Sequence, residues 1–584
     1  MLKIDGYQIL TQIYESANSE VYRAIREIDS QRVILKILKQ DYPTPAELTR
    51  YKQEYELTRT LNQEGIVKVY GLEKYHNTLV MFVEDFGGES LKVLKQNHQF
   101  SLEEFLSIAL KIATILGQIH AANIIHKDIN PANIVFHRET QQLKIIDFGI
   151  STRLSKENPT LKNPKGLEGT LPYISPEQTG RMNRILDYRT DFYSLGITFY
   201  ELLTGKLPFE TNDDLELVHC HIAKQPLSLS KINPLIPQAV SNIVMKLMAK
   251  NAEDRYQSAW GLKADLETCL QQLQSTGNIE NFTLATQDIS AQFQIPQKLY
   301  GRETEIETLL KSFEGISQSS GGLAGVKLML IAGYSGIGKS ALVREIYKPI
   351  TEKRGYFSAG KFDQFQRNIP YSAVVKALGE LIKQLLRETE VELNQWREKL
   401  LASLGANGQV IIDVIPEIEL IIGKQPAVPE LGANESQNRF NFVFQNFIKV
   451  FTQPEHPLAL FLDDLQWADG ASLKLMQLLM SGDAKGLFLI GAYRDNEVSP
   501  AHPLMLTLDE IAKNGGIIER VFLSPLNLVT VAQLISDVLK TTPENVKDLA
   551  ELVWLKTGGN PFFVNEFLQS LYAEGLLQFD ELSI

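Results

Sequence analysis

Two short stretches of the sequence carry the residue types needed to bind phosphates and magnesium. The first, at residues 126–133, reads HKDINPAN and is followed by DFG at 147–149. The second, at residues 333–340, reads GYSGIGKS. Carboxylate and amide oxygens are preferred ligands of Mg²⁺, and a glycine-rich turn that ends in Lys-Ser offers backbone amides to phosphate groups. Each stretch therefore predicts a site for ATP with Mg²⁺.

The residues of the first stretch fit the roles that phosphoryl transfer requires. That reaction needs a base near the acceptor hydroxyl and metal ions that bridge the phosphates. Asp128 occupies the position suited to the base, and Asn133 and Asp147 are placed to hold magnesium. This stretch is therefore predicted to be catalytic.

Transfer also requires a cation that positions the α and β phosphates. Lys36 follows Val-Ile-Leu in a β-rich run and is the candidate. An extended lysine needs an acidic partner, and we predict that Glu54, on the helix expected over residues 46–61, fills this role. Glu47 and Glu56 are expected on other faces of that helix.

The glycine-rich stretch has the spacing of a phosphate-binding loop, and an apolar run precedes it. Gly333, Gly336 and Gly338 permit a tight loop whose amides surround the phosphates. Lys339 is predicted to reach the β and γ phosphates, and the Ser340 hydroxyl to ligate magnesium at a helix N-terminus.

A second apolar strand is predicted at residues 458–462 and ends in two acids, Asp463 and Asp464. The carboxyl end of a parallel strand would deliver both acids to the mouth of the phosphate-binding loop. Asp463 is suited to the magnesium shell, and Asp464 to orienting an attacking water. A helix cap at one of these acids is the alternative hypothesis.

The composition sets bounds on the class of protein. A chain of 584 residues exceeds one core, so roughly three to five folding units are expected. The net charge of −12 disfavours general nucleic-acid or acidic-membrane binding. Two cysteines predict no disulfide framework, and no apolar run approaches the ~18 residues of a membrane helix. We expect a cytoplasmic protein that binds neither nucleic acid nor membrane.

The pattern of apolar residues predicts the elements that position these sites. Short β-rich runs with one helix extend from residue 7 to about 94, and helical periodicity dominates to about residue 273. This order predicts a small sheet lobe and a larger helical lobe. A polar linker is predicted at 274–297, and an α/β unit with a parallel sheet at 298–584.

Residues 7–273 resemble a eukaryotic-type serine/threonine protein kinase, which implies an α+β bilobal fold. Further motifs in matching order are Gly169-Thr170, Ser175-Pro176-Glu177, the run from Asp191 to Gly196, and Arg255, which is placed to pair with Glu177. The resemblance implies that Glu84 and Phe86 offer backbone groups to adenine. Candidate phosphate acceptors in the activation segment are Ser151, Thr152, Ser155, Thr160 and Thr170, although an ordinary loop hydroxyl is the favoured interpretation of any single one.

The sequence departs from the kinase pattern at two places. Tyr14, Ser16 and Ser19 stand where a glycine-rich loop should close over the phosphates, so ATP is expected to bind less tightly. Asn130 replaces a lysine whose charge would stabilise the transferred group. Losing one such donor costs on the order of a hundredfold in rate.

The region from residue 298 resembles the signal-transduction ATPases of the STAND class within the AAA superfamily. The motifs that carry the resemblance are Asp463 to Asp469, Tyr493-Arg494-Asp495 and Gly559-Asn560-Pro561-Phe562. The resemblance implies that Arg494 senses the γ-phosphate, that Pro561 packs near adenine, and that nucleotide turnover switches a compact form to an open or self-associated one. A C-terminal helical extension, incomplete in this chain, is expected.

The combination, with SPEQTGRMNR at residues 175–184, resembles the N-terminal part of hybrid sensor kinases of cyanobacteria and fungi. Such proteins continue into GAF and histidine-kinase modules, which implies that this chain is a fragment or a short member. The sequence favours an ATP-dependent serine/threonine kinase that acts on protein substrates and is regulated by a fused ATPase switch. The alternative is a pseudokinase scaffold whose only turnover is ATP hydrolysis at the phosphate-binding loop.

Overall fold

The computed structural model of the protein describes most of the chain. The described residues are 4–15, 19–39, 43–61, 63–153, 168–181, 186–211, 213–288, 295–296, 298–317, 327–353, 355–365, 370–386, 390–452, 456–481 and 486–577. They form two compact units, one built largely of residues up to 291 and the other largely of residues from 292 onward.

The first unit begins with a five-stranded antiparallel sheet in the order β1-β2-β3-β5-β4. Its strands and one helix are β1 (Tyr7–Glu15), β2 (Ser19–Arg26), β3 (Gln31–Leu38), α1 (Pro45–Thr60), β4 (Val69–Tyr75) and β5 (Thr78–Glu84). Val33, Leu35 and Ile37 of β3 are buried in one core, so Lys36 lies on the other face of the strand. Helix α1 starts with a capping box between Thr44 and Glu47, which gives Glu47 a structural task.

The rest of the first unit is mainly helical. Its elements are β6 (Glu89–Ser90), α2 (Leu91–Asn97), α3 (Leu102–Ala121), β7 (Ile124–Ile125), β8 (Ile134–His137), β9 (Gln142–Ile145), β10 (Thr152–Arg153), α4 (Arg189–Thr204), α5 (Asp214–Ala223), α6 (Leu229–Ile232), α7 (Gln238–Leu247) and α8 (Ala259–Thr276). Helix α3 buries one apolar side along its whole length in the main core of this unit. The predicted small sheet lobe and larger helical lobe are confirmed.

The predicted linker differs from the structure over residues 274–288. Helix α8 continues through Thr276, and Ile279 is buried in the same core as α3. The Asp288 carboxylate accepts hydrogen bonds from the backbone amides of Gln257 at 2.7 Å and Ser258 at 2.8 Å. Residues 274–288 therefore pack on the helical lobe, because one carboxylate and a few apolar side chains suffice to bind a polar segment.

The second unit is built on a parallel five-stranded sheet in the order β12-β13-β14-β11-β15. Its strands are β11 (Lys327–Ala332), β12 (Tyr356–Lys361), β13 (Leu458–Asp463), β14 (Leu487–Tyr493) and β15 (Ile517–Phe522). Alternate residues of the central strands enter two different apolar cores, so both faces of the sheet are covered. The predicted α/β fold with a parallel sheet is confirmed.

Helices cover this sheet and continue beyond it. They are α9 (Glu303–Ser317), α10 (Lys339–Arg344), α11 (Tyr347–Glu352), α12 (Ser372–Leu385), α13 (Glu390–Leu404), α14 (Gly408–Ile412), α15 (Glu419–Ile422), α16 (Ala433–Phe451), α17 (Gly470–Ser481), α18 (Pro503–Lys513), α19 (Leu528–Leu539), α20 (Lys547–Thr557) and α21 (Pro561–Ala573). The last three share a core of their own, which is the expected helical extension. Over the described part of the chain, every helix is too short or too polar to cross a membrane.

Candidate nucleotide sites

Lys36 and Glu54 form an ion pair in the first unit. The Lys36 Nζ atom lies 2.6 Å from Glu54 Oε1, and Glu54 is 6% exposed. The Tyr51 hydroxyl donates a hydrogen bond of 2.5 Å to the Lys36 carbonyl, which ties α1 to β3 a second time. The structure thus brings together the two residues that the sequence pairs.

Asp147 lies on the other side of the same ammonium group, with 3.0 Å between Lys36 Nζ and Asp147 Oδ1. Burial acts to lower the pKa of Lys36, but Asp147 and Glu54 outweigh it and the pKa is raised. Burial likewise acts to raise the pKa of Asp147, but the Lys36 ammonium outweighs it and the pKa is lowered. Both groups are held in their charged forms, as phosphate and metal binding require.

Asp128 is fixed by two hydrogen bonds to its carboxylate. The Thr170 backbone amide donates to Oδ1 at 2.9 Å, and the Asn133 side-chain amide donates to Oδ2 at 2.9 Å. The Asn133 amide nitrogen also donates to the Asp128 carbonyl at 2.9 Å, which leaves the amide oxygen as the atom suited to a metal. Pairing of Ile134 with Ile145 brings Asn133 and Asp147 to the same end of the β8-β9 hairpin.

Asn130, which replaces the expected lysine, has a structural task. Its Nδ2 atom donates to the Asp128 carbonyl at 3.1 Å and to the Thr170 hydroxyl at 3.3 Å. Its Oδ1 atom accepts from the Ala132 amide at 2.9 Å. Asn130 therefore supports the shape of the catalytic loop but supplies no positive charge.

The two residues predicted to face adenine lie at the end of β5. The Glu84 amide donates to the Lys68 carbonyl at 2.9 Å, so its own carbonyl is the group left for the predicted role. The Glu84 carboxylate pairs with Lys144 at 2.7 Å, and the same ammonium lies 5.5 Å from the centre of the Phe86 ring. Of the three non-glycine residues in the expected phosphate-covering loop, Tyr14 lies in β1, Ser19 begins β2 and Ser16 lies outside the described residues.

Buried charges of the helical lobe hold the catalytic loop and, separately, the end of the activation segment. The Asp191 carboxylate accepts from the amides of His126 at 2.9 Å and Lys127 at 2.7 Å. The Glu177 carboxylate pairs with both terminal nitrogens of Arg255, at 2.6 and 2.9 Å. Asp191 stood in a motif that supports the kinase resemblance, but only the structure shows what it contacts.

The predicted phosphate-binding loop joins β11 to α10. Gly333, Gly336 and Gly338 all have positive φ angles, of 153°, 76° and 101°. The Lys339 ammonium donates to the carbonyls of Gly333 at 2.7 Å and Tyr334 at 2.9 Å. Burial lowers the pKa of Lys339, and the nearby acids only partly oppose it. The lysine is thus held by neutral groups of its own loop.

Ser340 and Asp463 are adjacent, as a magnesium site at this loop requires. The Ser340 hydroxyl donates to Asp463 Oδ2 at 3.0 Å, although the two residues are 123 positions apart. A hydroxyl and a carboxylate are hard oxygen ligands, so the pair fits Mg²⁺. The Asp464 amide donates to Asp463 Oδ1 at 2.9 Å.

Asp464 is engaged by neighbouring cations. Its carboxylate lies 3.2 Å from Lys361 Nζ and 3.5 Å from Arg494 Nε, and it accepts from the Gln466 side-chain amide at 2.9 Å. Arg494 also pairs with Glu497 at 2.6 Å. Lys361 was missed from the sequence. It lies at the end of β12, a strand that was not predicted, and reaches Asp464 because β12 pairs with β13.

Pro561 opens α21, and the residue before it contacts the phosphate-binding loop. The Asn560 side-chain amide donates to the Ser335 carbonyl at 2.9 Å, and the Phe562 amide donates to the Gly336 carbonyl at 3.3 Å. The structure therefore places Pro561 beside this loop. The contact of Asn560 was not foreseen from the sequence.

Two family models match the chain: a protein kinase domain over residues 7–266 and an AAA ATPase domain over residues 298–490. The first unit is therefore a protein kinase domain, and the second contains an AAA ATPase domain.

Some known proteins are similar to most of this chain, and others are similar to less than half of it. A hybrid signal transduction histidine kinase G from Dictyostelium discoideum is 30% identical over 83% of this chain and 18% of its own length. Histidine protein kinase 1 from Candida albicans is 24% identical over 71% of this chain and 18% of its own length. The serine/threonine-protein kinase PrkC from Bacillus subtilis is 32% identical over 46% of this chain and 41% of its own length. The chain thus spans under half the length of each of these relatives.

Proposed function

We propose that this protein transfers the γ-phosphate of ATP to serine or threonine hydroxyls of protein substrates. The observation that carries the proposal is the three-way contact of Lys36 with Glu54 and Asp147. It places a charged lysine between the helix that orients it and an acid suited to magnesium, which is the arrangement phosphoryl transfer requires.

Each residue of the site has a distinct task in this reaction. Asp128, held by Thr170 and Asn133, orients the acceptor hydroxyl and takes its proton. Lys36 positions the α and β phosphates. Asn133 and Asp147 would hold Mg²⁺, which when bound neutralises charge on the phosphates. Glu84 and Phe86 would align adenine through their backbone groups.

The second unit is proposed to bind and hydrolyse ATP and, as a STAND-class switch, to regulate the kinase. Gly333, Gly336, Gly338, Lys339 and Ser340 would bind the phosphates, and Ser340 and Asp463 would hold Mg²⁺. In this proposal Asp464 orients water, Arg494 senses the γ-phosphate and Pro561 packs near adenine. Self-association would accompany the switch.

The biological role and the cellular location are also proposals. The likeness to two histidine kinases over most of the chain supports a role in signal transduction beside GAF or histidine-kinase modules. Both cysteines are buried and free, which supports action in the cytoplasm.

Transfer of labelled phosphate tests the proposal. With γ-labelled ATP and the full chain, label should appear on protein serine or threonine. Asp128→Asn should lower it at least about a hundredfold, because the base is lost, whereas Lys339→Ala should leave it in place.

A pseudokinase scaffold is the second candidate, and Asn130 in place of a cation favours it. It predicts equal labelling in the wild type and Asp128→Asn, with ATP hydrolysis abolished by Lys339→Ala alone. That result would reject the kinase proposal.

A further inference from the structure

The activation segment, residues 147–177, returns to the catalytic loop through three consecutive residues. Gly169 has a φ of 109°, and a Cβ atom there would lie 3.3 Å from the Lys127 carbonyl. This glycine allows a close approach that L side chains would hinder. It brings Thr170 to Asp128 on one side and Glu168 to Lys127 on the other.

Glu168 lies between two cations from different elements. Its carboxylate is 3.6 Å from the Arg50 guanidinium on α1 and 4.0 Å from the Lys127 ammonium in the catalytic loop. The Lys127 side chain is only 2% exposed, whereas Glu168 is 40% exposed at its side chain. A buried ammonium requires a nearby anion, and Glu168 supplies one.

The surrounding backbone holds Glu168 in this position. The Gln178 side-chain amide donates to the Lys127 carbonyl at 2.9 Å and to the Glu168 carbonyl at 3.4 Å. The same helix that carries Arg50 also carries Glu54, the partner of Lys36. One carboxylate therefore links the activation segment, the catalytic loop and the helix that orients the phosphate-binding lysine.

In many kinases such a link is made by a phosphate added to the activation segment, which pairs with basic residues and orders the segment. Two hydroxyls predicted as phosphate acceptors already have other tasks here. The buried Ser151 hydroxyl donates to the His126 carbonyl at 3.0 Å, and the Thr170 hydroxyl accepts from Asn130. Ser155 and Thr160 lie outside the described residues.

We propose that Glu168 is a positioning residue of the kinase reaction, whose carboxylate does what an activation-segment phosphate does elsewhere. The inference rests on the proposed kinase function and adds how the active arrangement is maintained. The kinase is then active without phosphorylation of its activation segment. Because Glu168 contacts α1 and the catalytic loop but no reacting group, its loss should affect kcat more than the KM for the protein substrate.

The test uses the full chain, freed of phosphate by a phosphatase and checked by intact mass. Wild-type activity should be unchanged by this treatment. Arg50→Met should lower kcat about fivefold, the effect of losing a partly exposed ion pair. Glu168→Gln should lower kcat further, because it also removes the anion beside the buried Lys127 ammonium. The double variant should be no slower than Glu168→Gln, because the contact with Arg50 is already lost in that variant. Arg50→Lys should retain activity, since it keeps the charge.

A matched control is Lys263→Met, which removes another partly exposed ion pair, between Lys263 and Glu267 of α8, and should leave kcat unchanged. Loss of wild-type activity after phosphatase treatment would overturn the inference while leaving the kinase function intact. A wild-type kcat in Glu168→Gln would do the same. Labelling by the untreated wild type no greater than by Asp128→Asn would reject the kinase function and this inference together.

Discussion

In the kinase domain the predicted phosphate-binding lysine contacts two acids, whereas in the ATPase domain the corresponding lysine contacts backbone carbonyls. Lys36 lies against Glu54 and Asp147, and its pKa is raised although burial opposes this. Lys339 lies against two backbone carbonyls, and burial lowers its pKa. The same residue type thus has opposite shifts, because one lysine has anionic neighbours in contact and the other has neutral ones.

The catalytic acids of the two domains differ in a similar way. Among the described residues, the Asp128 carboxylate accepts hydrogen bonds from two amides, which leave it available to a substrate hydroxyl. Asp464 is paired with Lys361 and Arg494. The acid proposed to orient water in the ATPase domain is thus already engaged by cations of the protein. This difference fits the proposal of an assembled kinase site and a fused ATPase switch.

The largest effect should come from the buried ion pair between Glu177 and Arg255. Burial acts to raise the pKa of Glu177, but Arg255 outweighs it and the pKa is lowered, so the pair is charged. Arg255→Met should destabilise the kinase domain by roughly 3–5 kcal/mol, because a buried carboxylate loses its partner. Calorimetry of the full chain should show one transition at lower temperature and the ATPase transition unmoved.

The control for this comparison lies in the ATPase domain. Lys311 and Glu307 form an ion pair of 2.7 Å whose side chains are 71% and 63% exposed. Lys311→Met should cost under about 1 kcal/mol, since exposed pairs contribute little. Equal costs for Arg255→Met and Lys311→Met would show that the buried pair contributes no more to domain stability than the exposed one.

A smaller effect is expected from Asp464→Asn in the ATPase domain. If Asp464 leaves Lys361 and Arg494 to orient water, the variant should hydrolyse ATP about a hundredfold more slowly. ATP binding should persist, because Lys339, Ser340 and Asp463 are unchanged. Steady-state phosphate release and nucleotide binding measured on the same protein separate the two outcomes.

Asp469→Asn provides the matched control for that experiment. Asp469 accepts from the Ser472 amide at 2.9 Å at the start of α17, and asparagine caps helices nearly as well. Its hydrolysis rate should equal that of the wild type. A wild-type rate in Asp464→Asn would mean that the contacts of Asp464 with Lys361 and Arg494 are structural only.

The sequence was most informative where a role depends on local spacing. The predicted strand and helix were enough to pair Lys36 with Glu54. The order of strand, glycine loop and helix was enough to predict Ser340 at the start of a helix. Contacts between segments distant in sequence were predicted only where motifs marked both partners, as for Glu177 with Arg255 and Ser340 with Asp463. Other such contacts were missed. Asn560 reaches Ser335 across 225 positions, and Lys361 meets Asp464 only because β12 and β13 are neighbours in the sheet.

Two expectations based on residue type needed the structure for a different reason. From the sequence, Asn130 was expected only to remove a positive charge. Its side-chain oxygen also accepts a hydrogen bond from the Ala132 amide, which a lysine could not do because it has no acceptor. The polar composition of residues 274–288 predicted a linker. A polar segment still packs when its few apolar side chains and one carboxylate find partners, as Ile279 and Asp288 do.

The smallest predicted effect is a loss of kinase-domain stability at low pH. His221 is buried in the kinase domain, with its Nδ1 atom 3.0 Å from the Tyr193 hydroxyl. Burial, aided by the positive charge of Lys250, lowers the pKa of His221 to about 3. Between pH 6.5 and 3 the unfolded chain therefore binds a proton that the folded domain does not, so stability falls as the pH drops below about 6.5.

The expected loss is at most about 1.4 kcal/mol per pH unit from this one group. Calorimetry of the full chain at pH 7, 6 and 5 should show the kinase transition, identified by its shift in Arg255→Met, moving to lower temperature. His221→Gln removes the titrating group and should make that shift smaller. If the kinase transition of His221→Gln has the wild-type pH dependence, the acid sensitivity of the domain arises from other groups and not from the lowered pKa of His221.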